Sequence, residues 1–392
     1  MVFDGDKQEQ WSVIQQVDFI IEKAIDHRAS DIHFESTENG LRVRYRIDGV
    51  LYDQPPLSQT IMQQLLSRLK VMAHIDITER RVPQDGKFKI IRNGYEIDMR
   101  VSTFPALYGE KIVVRILDRT SNNIDLEQFG FSDAMLAAFK NMIRCSSGLF
   151  LVTGPTGSGK TTTLYGALAT INSPEKNIIT LEDPVEYSVD GITQGHINPN
   201  VGFTFEKGMR ALLRQDPDVI MVGEIRDVQT ARIAIEAALT GHVVFSTLHT
   251  NDAPGAIMRL MDMGIEPFLI NAALIGVLAQ RLVRTICNNC RIEQPITEQD
   301  RQLMERLDVH VPALFVGQGC ERCLQSGYKG RTGIFELLQM TNDLRALIVK
   351  QPLFDTISMQ ARADGMITLR QDSERKLKSG IISLSELARV IF

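Results

Sequence analysis

An α/β fold is predicted by the sequence: a mostly parallel sheet with crossover helices, a smaller α+β domain before it, and a tetracysteine segment and C-terminal helices after it. Three observations predict it. Four short apolar runs, at 149–153, 177–181, 219–222 and 243–247, alternate with helical stretches. The region ahead of them carries segments of period-two alternation instead. A glycine-rich octapeptide follows the first apolar run directly and opens a helical stretch.

The 392 residues are enough for two or three domains, and the 23% charged and 44% hydrophobic content is that of a globular chain. No run approaches the ~18 apolar residues of a membrane span. Residues 1–10 are polar and carry no signal-peptide core. The expected location is therefore cytoplasmic, with docking on a membrane protein still open. A net charge of −5 and 6% aromatics argue against strong nucleic-acid binding. A translocase on such a core would need a basic, aromatic-bearing channel.

Val13, Val17, Ile20, Ile21, Ala24 and Ile25 recur at helical spacing and give the first helix one buried face. Segments 31–35, 41–47, 87–91 and 97–101 alternate as strands, with hairpin signals at Asp48-Gly49 and Asn93-Gly94. The expected organisation is an α+β domain over 1–119, a polar linker over 120–130 and the parallel-sheet core over 131–280. A metal-binding segment follows over 281–336, and a helical region over 337–392.

Gly154, Pro155, Thr156, Gly157, Ser158, Gly159, Lys160 and Thr161 fit G-x-x-x-x-G-K-[ST]. Glycines let backbone N–H groups turn inward around a phosphate. Lys160 is a mobile charge for the β and γ phosphates, and the Thr161 hydroxyl suits Mg²⁺. The helix beginning near Lys160, with Thr162 in its first turn, aims its positive end at the same anion. ATP with Mg²⁺ is the implied ligand.

The residues after the other apolar runs are the remaining site candidates, because open α/β sheets bind ligands beyond their strands' carboxyl ends. Hydrolysis needs a carboxylate near Mg²⁺ and one that orients or deprotonates water. Glu224, set beyond the third run by Gly223, is assigned as base or water-positioner. Glu182 or Asp183 is assigned to the Mg²⁺ or water shell, with Glu186 nearby. His242 and His249 flank the fourth run as candidate donors near the γ-phosphate, where strand position would report nucleotide state. A scaffold that binds nucleotide without turnover is the alternative reading of the same residues.

Cys287, Cys290, Cys320 and Cys323 form two C-x-x-C pairs able to present four thiolates to Zn²⁺. With four Cys ligands no position stays open, so the metal is structural. Gly317, Gly319 and Gly327 supply tight turns, and the long gap between pairs predicts its own helix, Glu298–Leu307. Cys145 reads as a small core or loop residue.

These segments together resemble the secretion ATPase superfamily, the motors of type II secretion and type IV pilus assembly, over nearly the whole chain. The resemblance runs through Ala29-Ser30-Asp31-Ile32-His33, Arg81-Val82-Pro83-Gln84-Asp85-Gly86, Asp98-Met99-Arg100-Val101-Ser102-Thr103 and Gly109-Glu110-Lys111. Glu182–Glu186 is similar to the family's Asp box. The stretch from Arg214 to Asp227 is similar to its Walker B, which ends in Glu, and Thr240 to Asn251 to its His box. The resemblance implies a RecA-like ATPase core, a preceding PAS-like domain and a homo-hexameric ring working on an inner-membrane platform protein. It also implies that Arg100 and Arg115 reach the γ-phosphate of a neighbouring subunit. The cysteine segment is common to secretion and pilus-assembly members. The segments 263–269 and 276–284 read closest to the type II secretion branch, with pilus assembly the alternative. That branch usually carries a further N-terminal docking domain, whereas few residues here precede the first helical pattern.

Overall fold

The computed structural model describes residues 11–92, 94–118, 125–350 and 352–391. Residues 1–10, Asn93 of the second hairpin signal and residues 120–124 of the expected linker lie outside the described residues. The chain divides into two compact units, Met1–Asn123 and Ile124–Phe392.

In the first unit, α1 (Val13–Asp26) starts at a capping box between Ser12 and Gln15 and buries Val17, Ile20, Ile21 and Ala24. Six strands follow: β1 (Ala29–Thr37), β2 (Gly40–Ile47), β3 (Val50–Asp53), β4 (Gln84–Arg92), β5 (Tyr95–Ala106) and β6 (Gly109–Asp118). Helix α2 (Gln59–Met72) lies between β3 and β4 in sequence. The sheet order is β3-β2-β1-β6-β5-β4, antiparallel throughout. Asp48 and Gly49 take left-handed φ of 49° and 86° and join β2 to β3, the turn that matches strand twist. One face (Ile32, Phe34, Val43, Met99, Val101, Ile112, Val114) packs against both helices. Alternation places Asp31, Arg46, Arg100 and Arg115 on the other face. Strands β3 and β6 and helix α2 are additions to the four strands read from sequence.

The second unit is a three-layer α/β structure. Its sheet is built from β7 (Gly148–Thr153), β8 (Ile178–Glu182), β9 (Thr193–His196), β10 (Val219–Val222), β11 (Val243–Leu248), β12 (Leu274–Ile286) and β15 (Tyr328–Gln339). The order is β15-β12-β7-β11-β10-β8-β9; only the β12–β15 pair is antiparallel. Helices α3 (Asp133–Met142) and α4 (Lys160–Ile171) cover one face, over Phe150, Val152, Met221 and Phe245. Helices α5 (Phe205–Leu212), α6 (Val228–Leu239), α7 (Ala253–Asp262) and α8 (Pro267–Ala273) cover the other, over Leu149, Leu151, Ile220 and Val222. All four apolar runs are strands, each buried on both sides.

Past β12 the chain forms a small β13 (Arg291–Gln294) and β14 (Leu314–Gly317) ladder, with α9 at Glu298–Leu307 as predicted. Helices α10 (Asn342–Ile348), α11 (Phe354–Ala363), α12 (Leu369–Lys378) and α13 (Leu384–Ile391) complete the unit. The boundaries expected at 280/281 and 336/337 need correction: they fall inside β12 and β15. Both strands are largely buried, and a buried strand reads as a continuous apolar run that periodicity does not separate from a helix. Around Val283, Leu314, Ile334, Leu377 and Leu387 the far half of this strand pair carries its own core.

Candidate active site

Between the end of β7 and the first turn of α4 the chain makes one tight loop. Gly154, Gly157 and Gly159 take φ of 149°, 78° and 87°. A Cβ at Gly154 would lie 2.5 Å from the Gln280 carbonyl oxygen, so a side chain there has no room. Ser158 Oγ is buried without a hydrogen-bond partner, and the Gly159 cap offers no side chain to the amides that open α4. A loop of turned glycines, an orphaned hydroxyl and uncapped helix amides suit a phosphate chain. Pro155, Thr156 and Gly157 form its exposed crest, Thr161 is half-buried and Thr162 exposed.

Lys160 Nζ donates to the carbonyls of Gly154 (2.8 Å) and Pro155 (3.1 Å). Burial lowers its pKa, the Glu224 carboxylate works against that, and the Arg281 guanidinium adds to it. Lys160, Glu224 and Arg281 thus share one electrostatic neighbourhood.

Beyond β10, Gly223 N–H donates to Leu181 O (2.8 Å), Thr247 Oγ1 donates to Gly223 O (2.7 Å) and Ile225 N–H donates to Thr247 O (3.0 Å). These bonds fix the backbone on either side of Glu224. Its carboxylate is paired with Arg226, and His249 Nε2 stands 3.5 Å away. Burial pushes Glu224 upward, yet the hydrogen bond and charge of Arg226, helped by His249, hold it net below the usual carboxylate value. It is therefore ionised, the form a base or water-orienting group needs. Thr153 Oγ1 and Thr250 Oγ1 are 2.7 Å apart, which ties the segment after His249 to the end of β7.

Glu182 ends β8 on the α4 face and is only 2% exposed. It accepts from Tyr165 Oη, Thr180 Oγ1 (2.6 Å) and Gln194 Nε2 (3.1 Å). Asp183 is exposed beside it, Glu186 is half-buried, and Asp183 and Arg226 interact electrostatically. Of the two alternatives for the metal and water shell, Asp183 is the more accessible.

His242 needs correction. It precedes β11, and β7 and β11 run parallel, so it stands at the edge of the sheet opposite the glycine loop. One strand length of roughly 20 Å separates the two edges. Its Nδ1 lies 2.9 Å from Ala237 O and 3.3 Å from Thr240 Oγ1, a helix-end lock rather than a phosphate contact.

In the first unit the register aligns Arg46, Asp31, Arg115, Arg100 and Lys87 as direct cross-strand neighbours along one row. Arg115 Nε donates to Asp31 Oδ1 at 2.9 Å while its side chain stays 59% exposed.

Sequence reasoning missed three residues at the core site. Arg226 was read only as part of a motif, although it is the direct partner of Glu224. Arg281 donates to Asn251 O (2.7 Å) beside the loop. Gln280 touches the loop itself. Its one sequence signal is a polar residue inside the apolar run 274–283.

The four cysteines converge. Their Sγ atoms all lie within 4.8 Å of one another, with Cys287–Cys320, Cys290–Cys323 and Cys320–Cys323 separations of 3.9, 3.8 and 3.6 Å. Sulfurs about 2.3 Å from a tetrahedral ion stand about 3.8 Å apart, so the set fits such an ion. Asn289 Nδ2 donates to Cys320 Sγ (3.4 Å) and brings that thiol down to about 6. Gly317 and Gly327 cross so closely that a Cβ at Gly317 would lie 2.0 Å from Gly327 O.

Comparison with known proteins agrees with this architecture. The family described as "Type II/IV secretion system protein" matches residues 6–389. The Dickeya dadantii type II secretion system protein E is 48% identical over 385 residues, covering 98% of this chain and 77% of that one. The Vibrio cholerae type II secretion system ATPase E is 46% identical, covering 98% and 76%. The type IV pilus assembly ATPase PilB of Thermus thermophilus is 48% identical over 375 residues, covering 95% of this chain and 42% of PilB. Among solved structures, the Legionella pneumophila ATPase DotB has the same fold, with a TM-score of 0.71, 21% identity and coverage of 97% and 95%. The pilus retraction motor PilT, solved with bound ADP, gives a TM-score of 0.63 at 27% identity, covering 94% and 95%.

Proposed function

This chain belongs to the type II/IV secretion system protein family, and from that premise we propose that it is the ATPase that drives a type II secretion system. The observation that carries the reading is the glycine loop with Lys160 bonded to its own carbonyls, with the Glu224 carboxylate acting on that lysine electrostatically.

The residues have separable tasks. Backbone amides of 154–161 and Lys160 bind the triphosphate tail. Thr161 and Asp183 would hold Mg²⁺, which when bound would offset charge on the β and γ phosphates. Glu224 orients water for attack on the γ-phosphate and takes up its proton, while Arg226 and His249 hold the carboxylate in place. Arg100 and Arg115 of another copy neutralise charge on the transferring group, within a homo-hexamer. The cysteine cluster holds a structural Zn²⁺. The ring acts at the cytoplasmic side of the inner membrane through a platform protein; no helix among the described residues is long and apolar enough to cross a membrane.

Type II secretion is favoured by several relatives of that name at 46–48% identity that this chain covers to 76–77% of their length. The 48% identity to PilB supports pilus assembly as a second reading.

Steady-state phosphate release from the full chain tests the proposal. Glu224→Gln should bind ATP normally and hydrolyse it about a hundredfold more slowly, the usual scale for lost general-base work. Wild-type turnover in that variant would remove Glu224 from the reaction.

A further inference from the structure

We infer that Gln280 is a positioning residue for phosphate binding, a clamp on β12 that sets the shape of the glycine loop. The inference rests on the nucleotide-site reading but concerns a residue outside the glycine loop and the carboxylate segments that led to it.

The Gln280 side chain is 2% exposed and bridges two elements that must keep a fixed relation. Its Nε2 donates to Ser158 O, within the loop, at 2.6 Å. Its Oε1 accepts from Thr163 Oγ1, one turn into α4, at 2.8 Å. The orientation of the amide is chemically determined. The Ser158 carbonyl only accepts, so the nitrogen must face it, and the Thr163 hydroxyl is then left to donate to the oxygen. Both bonds are buried, where an unmet partner costs more than at a surface.

The main chain at the same position shapes the other end of the loop. The Gln280 carbonyl oxygen lies 2.5 Å from where a Cβ on Gly154 would be, and the Gln280 Nε2 lies 3.2 Å from where a Cβ on Gly159 would be. One residue therefore borders Gly154, Ser158 and Gly159. Its backbone is fixed independently, by pairing with Phe335 on β15 and by the adjacent Ala279–Thr153 register with β7. A carbonyl drawn outward at Ser158 leaves the neighbouring amides pointing inward, the orientation an anion requires. Removing the donor would leave that carbonyl buried and free to turn toward the phosphate position, where it repels.

The test compares nucleotide affinity, turnover and stability in the full chain. Gln280→Met fills the same space with no donor or acceptor. It should raise the Kd for fluorescent mant-ADP and the KM for ATP about tenfold, the scale of one well-placed buried hydrogen bond. The kcat at saturating ATP should change less than about threefold, because Gln280 does not touch the reacting atoms. Thr163→Val releases the amide orientation and should shift both constants the same way by about threefold, whereas Thr163→Ser keeps the donor and should behave as wild type. Unchanged Kd and KM in Gln280→Met, with loss only of thermal stability or of kcat, would overturn the proposal. Should that variant not fold, the Thr163 pair decides: equal affinities in the Val and Ser variants would overturn it. Wild-type protein that binds no mant-ADP would instead sink the nucleotide-site reading itself.

Discussion

Glu386 carries more buried contacts than any motif would suggest. Its side chain is wholly buried and accepts from Arg284 N–H (2.8 Å), Nε (2.9 Å) and a terminal nitrogen (2.7 Å), and from Arg389 Nε and a terminal nitrogen (2.9 and 2.6 Å). Burial alone would raise its pKa, but the two guanidiniums bring it net below its ordinary 4.5. As pH falls the unfolded chain then binds the proton first. The stabilisation is complete above about pH 4.5 and drains as pH drops through the lower folded value. Glu386→Gln should destabilise the second unit by about 3 kcal/mol at neutral pH, since it removes the buried charge on which two guanidiniums converge. It should also flatten the loss of stability on acidification. Denaturant titration at pH 7 and pH 4, followed by amide exchange in α13, measures both; identical acid dependence in the two proteins would dismiss the pair. Legibility at this scale depends on contiguity. Gly154–Thr161 form one local pattern and are readable, whereas Glu386 and Arg284 stand 102 positions apart and no spacing rule joins them.

The element that most reorganises the sequence reading is β12. Leu149, Leu151 and Val222 sit in runs short enough to be recognised as strands, and the structure keeps all four runs. β12 extends over 13 residues of mostly buried side chains, and β15 lies where helices alone were expected at its end. Their pairing is set by partners 42 to 63 residues apart, Gly276 with Gln339 through Ile286 with Tyr328, and pairing of that kind leaves no local trace. The strand also gives the cysteine cluster a mechanical context, because it ends at Ile286, directly before Cys287. Freshly purified protein should contain about one zinc per chain. Stripping it should lower thermal stability and release amide protection first around 287–327, because thiolate sites of this kind hold their own loops in place. Zinc-free protein with full protection there would leave the cluster as buried thiols.

At the scale of the whole molecule, a net charge of −5 conceals a local arrangement. The motif matches of Arg100 and Arg115 were legible, but their adjacency was not. It follows from β5 pairing with β6, and β6 was not read as a strand. The row Arg46, Asp31, Arg115, Arg100 and Lys87 carries four cations to one anion, and Asp31 holds Arg115 by a direct bond. A row with this excess of positive charge attracts a polyanion, and a triphosphate is one. If that triphosphate sits on another copy, each site needs its core from one chain and its arginine from the next. Arg100→Ala and Glu224→Gln chains should then each be nearly inactive alone, with ATP binding retained. Mixed and allowed to exchange subunits, they should regain hydrolysis, because some interfaces combine the intact core of the first with the intact arginine of the second. Should both arginines instead serve their own chain's site, no mixed interface would be whole, and the mixture would hydrolyse no faster than the average of its parts.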